Sequence, residues 1–146
     1  MGSGRKLIMS EEERRIIAQH EIGHAIVTIQ KGLDVLDKVT IMPRNWALGL
    51  IVSHAQERQL LSKAFILARI TSILGGRAAE EVFLGSDHIT TGAGNDLMQA
   101  AELARRIVCE WGMGESGPVI FYAPDSSRFG LKAFSEHTAS RIDMEV

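Results

Sequence analysis

The sequence predicts a mostly α-helical domain with a small β-hairpin or sheet. Several stretches place apolar residues at helical spacing, and the main ones begin at a capping signal or a small-residue turn. Only two short runs, between the first and second predicted helices, have the composition typical of strands. The chain has 146 residues and 45% hydrophobic content, which is enough for one compact domain with a core.

The first predicted helix begins at Ser10. Ser10-Glu11-Glu12-Glu13 is a capping box, in which the serine and the third glutamate each satisfy a backbone amide of the other. The helix should run to about Gln30 and end at Gly32. Apolar residues occupy nearly its whole circumference, which predicts a buried helix. These residues are Ile16, Ile17, Ala18, Ala25, Ile26 and Val27.

Two β-prone runs follow the first helix. Val39 to Met42 and Ala47 to Ser53 are the predicted strands, and Pro43-Arg44-Asn45 lies between them as a turn. This order predicts a hairpin. Trp46 sits at its turn, and the sequence leaves open whether the ring is exposed or folds back on the core.

The rest of the chain is predicted to be helical, with loops between the helices. Ser62 begins the second long helix, and Gly75-Gly76 interrupts it, either as a kink or as a place where another backbone approaches closely. A small-residue turn at residues 90–96 opens a third helix, which Gly112 ends. Ser135 is the predicted N-cap of a last helix that reaches Val146.

The first helix carries the H-E-x-x-H pattern at residues 20–24. His20 and His24 lie one turn apart on the same face, so both imidazoles can reach one metal ion, and Glu21 lies beside them. The competing interpretation is a surface helix with two hydrogen-bonded histidines. Because the apolar flanks predict burial, and buried polar groups need partners, the pattern favours a metal site.

A catalytic zinc site usually has three protein ligands and one open position, so a third ligand is required. The metzincin pattern is excluded, because Val27 and Gln30 stand where that class has glycine and histidine. The third ligand must therefore lie further along the chain, and spacing alone leaves five candidates. These are Glu80, Glu81, Asp87, His88 and Asp96. For Asp96, a purely structural role in the first turn of a helix is equally compatible with the sequence.

Composition and charge argue against nucleic-acid binding, a membrane span and a disulfide. The net charge of −2, with mixed and scattered basic residues, predicts no nucleic-acid partner. No apolar run approaches the roughly 20 residues that cross a bilayer. Cys109 is the only cysteine, which excludes an internal disulfide, and we expect it to be a small core residue. His88 is expected to be a solvated loop residue.

Beyond the pentapeptide, the chain resembles the peptidase domain of the FtsH family, membrane-bound AAA+ zinc proteases. The matching pieces follow the family's order along nearly the whole chain. They are Ser10 to Arg15, His20-Glu21-x-Gly23-His24-Ala25, Ala47-Leu48-Gly49, Gly75-Gly76-Arg77-Ala78-Ala79-Glu80-Glu81, Thr90-Thr91-Gly92-Ala93-x-Asn95-Asp96-Leu97, Ala104-Arg105-Arg106, Trp111-Gly112-Met113 and Gly117-Pro118.

This resemblance implies a specific site. One Zn²⁺ per chain would be held by His20, His24 and Asp96, with Glu21 as the catalytic carboxylate that accepts a proton from water. Glu80 resembles the acidic residue that the family has near the metal. We expect it to orient a histidine ligand, and it is also the alternative third ligand.

The resemblance also implies the partners. Polypeptide substrates would lie extended along an edge strand, whose residues are Ala47, Leu48, Gly49, Leu50 and Ile51. The resemblance further implies a full-length protein that is a homohexamer anchored in a membrane, with this domain facing the cytoplasm, matrix or stroma. ATP and Mg²⁺ would bind only to the AAA+ module, and the protein would contact the membrane only through an anchor. These residues contain neither the phosphate-loop motif of such a module nor an apolar span.

The expected organisation is therefore simple. Residues 1–4 are an expression leader, and residues 5–146 are a soluble zinc metallopeptidase fragment, truncated at its C-terminus, that is ATP-dependent only within a full-length protease. Two alternatives are kept. A non-catalytic homologue would use the fold for assembly or substrate handling, and a structural zinc domain would need a fourth protein ligand.

Overall fold

The computed structural model describes residues 9–33, 35–40, 50–54, 60–121 and 135–146. These residues contain five α-helices, two strands and two 3₁₀ turns, and none of these helices is long and apolar enough to cross a membrane. The mostly helical fold class is confirmed. The elements are α1 (Glu11–Gln30), β1 (Val35–Thr40), β2 (Leu50–His54), α2 (Lys63–Ile73), α3 (Gly75–Leu84), the 3₁₀ turns Ser86–His88 and Thr91–Ala93, α4 (Gly94–Cys109) and α5 (Glu136–Glu145).

Helix α1 has the predicted ends. The Glu13 N–H donates to Ser10 Oγ at 3.1 Å, and the Ser10 N–H donates to the Glu13 carboxylate at 2.7 Å, which completes the capping box. At the other end, Gly32 takes a positive φ of 60°, a conformation that glycine adopts without steric cost. The capping chemistry read from the sequence therefore fixes both ends of the helix.

The prediction that α1 is buried all round is wrong. His20, Gly23, Ala25 and Thr28 are buried, but three isoleucines are largely exposed. Ile22 is 46%, Ile26 51% and Ile29 63% exposed. At 100° per residue these three lie on the face opposite the histidines. The face with the histidines and Gly23 packs against α3. Apolar composition did not separate these two faces.

Strands β1 and β2 pair antiparallel, with Val39 opposite Ile51 and Thr40 opposite Leu50. The pairing is irregular between Leu36 and Lys38, and β1 begins earlier in the chain than predicted. The connection between the strands lies outside the described residues, as do Pro43-Arg44-Asn45, Trp46 and Ala47 to Gly49. The hairpin turn and the position of Trp46 therefore stay predictions.

Helices α1 and α3 cross where two glycines meet. A Cβ on Gly75 would lie 2.7 Å from the Gly23 carbonyl oxygen, and a Cβ on Gly23 would collide with the Gly75 carbonyl. Only residues without side chains allow this backbone-to-backbone approach. The chain also breaks here, because α2 ends at Ile73 and α3 begins after Leu74. Gly75-Gly76 thus allows a close approach and follows directly on the break.

Helix α5 packs against α4. Ser135 caps it, accepting from the Thr138 N–H at 3.2 Å as predicted. Val108, Cys109 and Ile142 form a buried apolar cluster, with Phe121 packed against it. The expectation that Cys109 is a small core residue is confirmed, and burial raises the pKa of its thiol.

Candidate metal centre

Three side chains converge between α1 and the start of α4. His20 and His24 lie one turn apart on α1, and Asp96 lies in the first turn of α4. The two Nε2 atoms are 3.0 Å apart, and Asp96 Oδ2 lies 3.0 Å from His20 Nε2 and 3.2 Å from His24 Nε2. In the described part of the chain, these are the residues whose ligand atoms lie close enough to share one metal ion.

Hydrogen bonds on the far side of each ring indicate which ring nitrogen carries the proton. His24 Nδ1 lies 2.9 Å from the Ser72 carbonyl oxygen, and a carbonyl only accepts, so Nδ1 carries the proton. His20 Nδ1 lies 2.7 Å from Glu80 Oε1, where an ionised carboxylate imposes the same assignment. In the neutral form of each imidazole, the Nε2 lone pair therefore points towards its neighbour and towards Asp96.

This set of donor atoms suits a divalent cation. When both imidazoles are neutral, their Nε2 lone pairs and the Asp96 oxygen repel one another unless positive charge lies between them, since these atoms lie within 3.2 Å. Imidazole nitrogen and carboxylate oxygen are both common zinc ligands, and tetrahedral bonds of about 2.0–2.1 Å separate ligand atoms by about 3.3 Å. The observed separations are close to that value, so the residues present fit a zinc ion.

Asp96 and the two histidines shift one another's pKa values towards the charged forms. Burial would raise the pKa of Asp96, but hydrogen bonds and charge from His20 and His24 hold it well below its usual range. In return, Asp96 raises the pKa of His20 against the effect of burial. Burial lowers the pKa of His24, yet Asp96 and the Ser72 carbonyl raise it overall. Asp96 and the two histidines together therefore favour positive charge between them.

Glu80 lies behind His20 and is 1% exposed. One carboxylate oxygen accepts from His20 Nδ1, and the other accepts from the Thr90 N–H at 2.7 Å. Burial would raise the pKa of Glu80, but the bonds from Thr90 and His20 overcome it and hold the pKa below its ordinary value. The Glu80 carboxylate thus links His20 of α1 to the loop that leads to Asp96.

Glu21 is half-buried beside the two histidines. Burial raises the pKa of its carboxyl group, while the charges of His24 and His20 pull it down by a smaller amount. A carboxylate in such a position has increased proton affinity, which is what a proton acceptor needs.

Gly76 forms a wall of the centre. A Cβ at this position would lie within 3.0 Å of both Nε2 atoms, closer than real Cβ atoms approach. The missing side chain therefore leaves open the space in front of the two Nε2 atoms. The sequence predicted an interruption or a close backbone approach at Gly75-Gly76 but gave no sign that Gly76 lies at the candidate metal centre.

The other candidate ligands lie elsewhere. Glu81 pairs with Arg77 at 3.0 Å on the surface of α3. Asp87 and His88 are exposed in a 3₁₀ turn, as expected for a solvated loop histidine. Of the expected substrate strand, Leu50 and Ile51 belong to β2, and Ala47 to Gly49 lie outside the described residues.

Two contact residues had no signal in the sequence. Ser72 supplies the carbonyl that holds His24, and Thr28 reaches the Ser72 hydroxyl. Both are common residues at unremarkable helical positions, so only the packing of α1 against α2 reveals them.

Comparison with known proteins reveals relatives along the whole chain. Residues 7–146 match the family described as Peptidase family M41. An "ATP-dependent zinc metalloprotease FtsH" of Acidobacterium capsulatum is 42% identical over 155 residues, covering 100% of this chain and 24% of its own. The protein of that name in Thermus thermophilus is 43% identical over 152 residues, with the same coverage of both chains. "ATP-dependent zinc metalloprotease FtsH 2" of Methylacidiphilum infernorum is 44% identical over 151 residues, covering 97% of this chain and 23% of its own. The chain spans about a quarter of the length of these relatives.

Proposed function

Since the chain belongs to peptidase family M41, we propose that it is a zinc-dependent endopeptidase domain. The observation that carries the proposal is the convergence of two imidazole Nε2 atoms and a carboxylate oxygen within 3.2 Å. In the proposed function His20, His24 and Asp96 hold one Zn²⁺ per chain. When bound, zinc supplies the Lewis acid that activates water and polarises a peptide carbonyl.

Glu21 is the proposed general base. It lies beside the ligand pair on α1, and burial raises the pKa of its carboxyl group, so it can take a proton from water and pass it to the leaving amine. No covalent intermediate is needed. Glu80 is proposed to orient His20 through the 2.7 Å bond to Nδ1, because both of its oxygens are already engaged away from the centre.

Polypeptide substrates are proposed to bind in extended form along an edge strand. The strand from Ala47 to Ile51 would pair its main chain with the substrate, which supports cleavage with weak sequence selectivity. The support for this step is that β2, which contains Leu50 and Ile51, belongs to a two-stranded sheet packed against α1.

The relatives' names suggest the larger protein. They are called ATP-dependent zinc metalloproteases, and the chain matches about a quarter of each. We propose that these residues are the proteolytic part of a membrane-anchored, hexameric AAA+ protease that has its ATP and Mg²⁺ site in another module. The domain itself would then cut unfolded chains without ATP.

The proposal is tested by metal removal. The zinc-loaded chain should cleave an unfolded protein such as β-casein, lose that activity when a chelator removes the metal, and regain it on zinc addition. Cleavage that persists without metal would contradict the proposal. Zinc binding without cleavage would support the alternative of a non-catalytic homologue, used for assembly or substrate handling.

A further inference from the structure

The break between α2 and α3 lies directly against His24. The last carbonyl groups of an α-helix have no helical partner, and Ser72 lies in the last turn of α2. In an uninterrupted helix, the amide of residue 76 would donate to the carbonyl of residue 72. Here the Ser72 oxygen lies 2.9 Å from His24 Nδ1, and the Gly76 amide points at the same nitrogen from 3.3 Å.

The His24 ring is thus inserted between two groups that would bond each other in a continuous helix. Because the carbonyl contact is the shorter one and a carbonyl only accepts, His24 Nδ1 donates to Ser72, and the Gly76 amide is a neighbour rather than a donor. Insertion of a side chain into the helical ladder is a known cause of a kink. The direction of His24 Nε2 therefore depends on where the end of α2 lies.

A second contact holds that end of α2. Thr28 lies one turn after His24 on the same face of α1 and is 7% exposed. Its Oγ1 is hydrogen-bonded to Ser72 Oγ at 2.5 Å. Residue 72 is therefore attached to α1 twice, through its carbonyl to His24 and through its hydroxyl to Thr28.

We propose that Thr28 and Ser72 are positioning residues for the zinc ligand His24: their hydroxyl bond keeps the Ser72 carbonyl in place, and the carbonyl orients the imidazole. The inference rests on the proposed function, since it presumes zinc at His24. Groups that orient ligand histidines typically change metal affinity about 10–100-fold when they are removed. Thr28 acts one contact further out, so the lower end of that range is expected.

The test uses three variants of the whole chain, each measured for Zn²⁺ affinity by chelator competition and for the visible spectrum of the Co²⁺ form. Thr28→Val keeps the side-chain shape but loses the hydroxyl, and should weaken Zn²⁺ binding about tenfold and shift the Co²⁺ spectrum. Thr28→Ser keeps the hydroxyl and should restore wild-type values. Thr71→Val is the matched control, because the Thr71 hydroxyl bonds only to Leu67 O within α2, among the contacts described, and should change neither quantity.

A purely structural role makes a different prediction. It would lower the free energy of unfolding of the metal-free and zinc-loaded chains equally and leave Zn²⁺ affinity unchanged, which would overturn the inference. If Thr28→Val folds poorly, Ser72→Ala replaces it and should show the same roughly tenfold loss of Zn²⁺ affinity. The double variant Thr28→Val/Ser72→Ala should lose little more affinity than either single variant, because both substitutions remove the same hydrogen bond. A wild-type chain that binds no zinc would refute the proposed function itself.

Discussion

Glu21→Gln is expected to reduce peptide cleavage at least about 100-fold while zinc content stays near one per chain. The amide has the size of the carboxyl group but cannot accept the proton of the attacking water. The proposed ligands are unaffected, because Glu21 lies beside them on α1 and is not one of the three converging groups. Cleavage of β-casein and metal analysis of the same sample measure both quantities.

The matched control for this variant is Glu12→Gln. It makes the same chemical change at an exposed position in the first turn of α1, away from the centre, and should cleave like the wild type. If Glu21→Gln retains full activity, another group takes the proton, and the proposed mechanism is wrong. If zinc is lost together with activity, Glu21 contributes to metal binding instead.

Gly76→Ala is expected to abolish zinc binding. The new methyl group would lie within 3.0 Å of both Nε2 atoms, in the space where a shared ion must sit. The loss of affinity should reach or exceed the upper end of the about 10–100-fold range known for changes around metal ligands. Isothermal titration with Zn²⁺ measures it, and helical content by circular dichroism verifies that the chain stays folded.

Gly94→Ala is the control for the glycine substitution. Gly94 begins α4 with helical dihedral angles, and a Cβ there would meet nothing within 4 Å. Alanine favours a helix over glycine by about 1 kcal/mol, so this variant should bind zinc normally and be no less stable. Wild-type affinity in Gly76→Ala would mean that the ion lies elsewhere than between the two imidazoles.

Local chemistry explains which parts of the fold were predictable. The capping box at Ser10 and the N-caps at Ser62 and Ser135 act within one turn, so the sequence displays them directly. The pairing of His20 with His24 is equally local, because helical geometry alone brings residues four apart together.

Long-range packing explains what was missed. Asp96 contacts two histidines that lie more than seventy residues earlier in the chain. From spacing alone it was one of five candidates for the third ligand, and only the family resemblance singled it out. The exposed isoleucines of α1 show the same limit, since composition does not say which face another helix covers. The Gly75-Gly76 pair predicted an interruption near this point, but no sequence pattern indicated that the Ser72 carbonyl would contact His24.

The coordination sphere of zinc in a crystal of the zinc-loaded chain tests the central claim most directly. We expect one ion bound by Nε2 of His20, Nε2 of His24 and a carboxylate oxygen of Asp96, with a fourth position open to solvent and Glu80 on His20 Nδ1. Glu80 in the place of Asp96 would contradict the ligand assignment. Four protein ligands in a closed site would contradict the peptidase itself, and would favour a structural zinc domain.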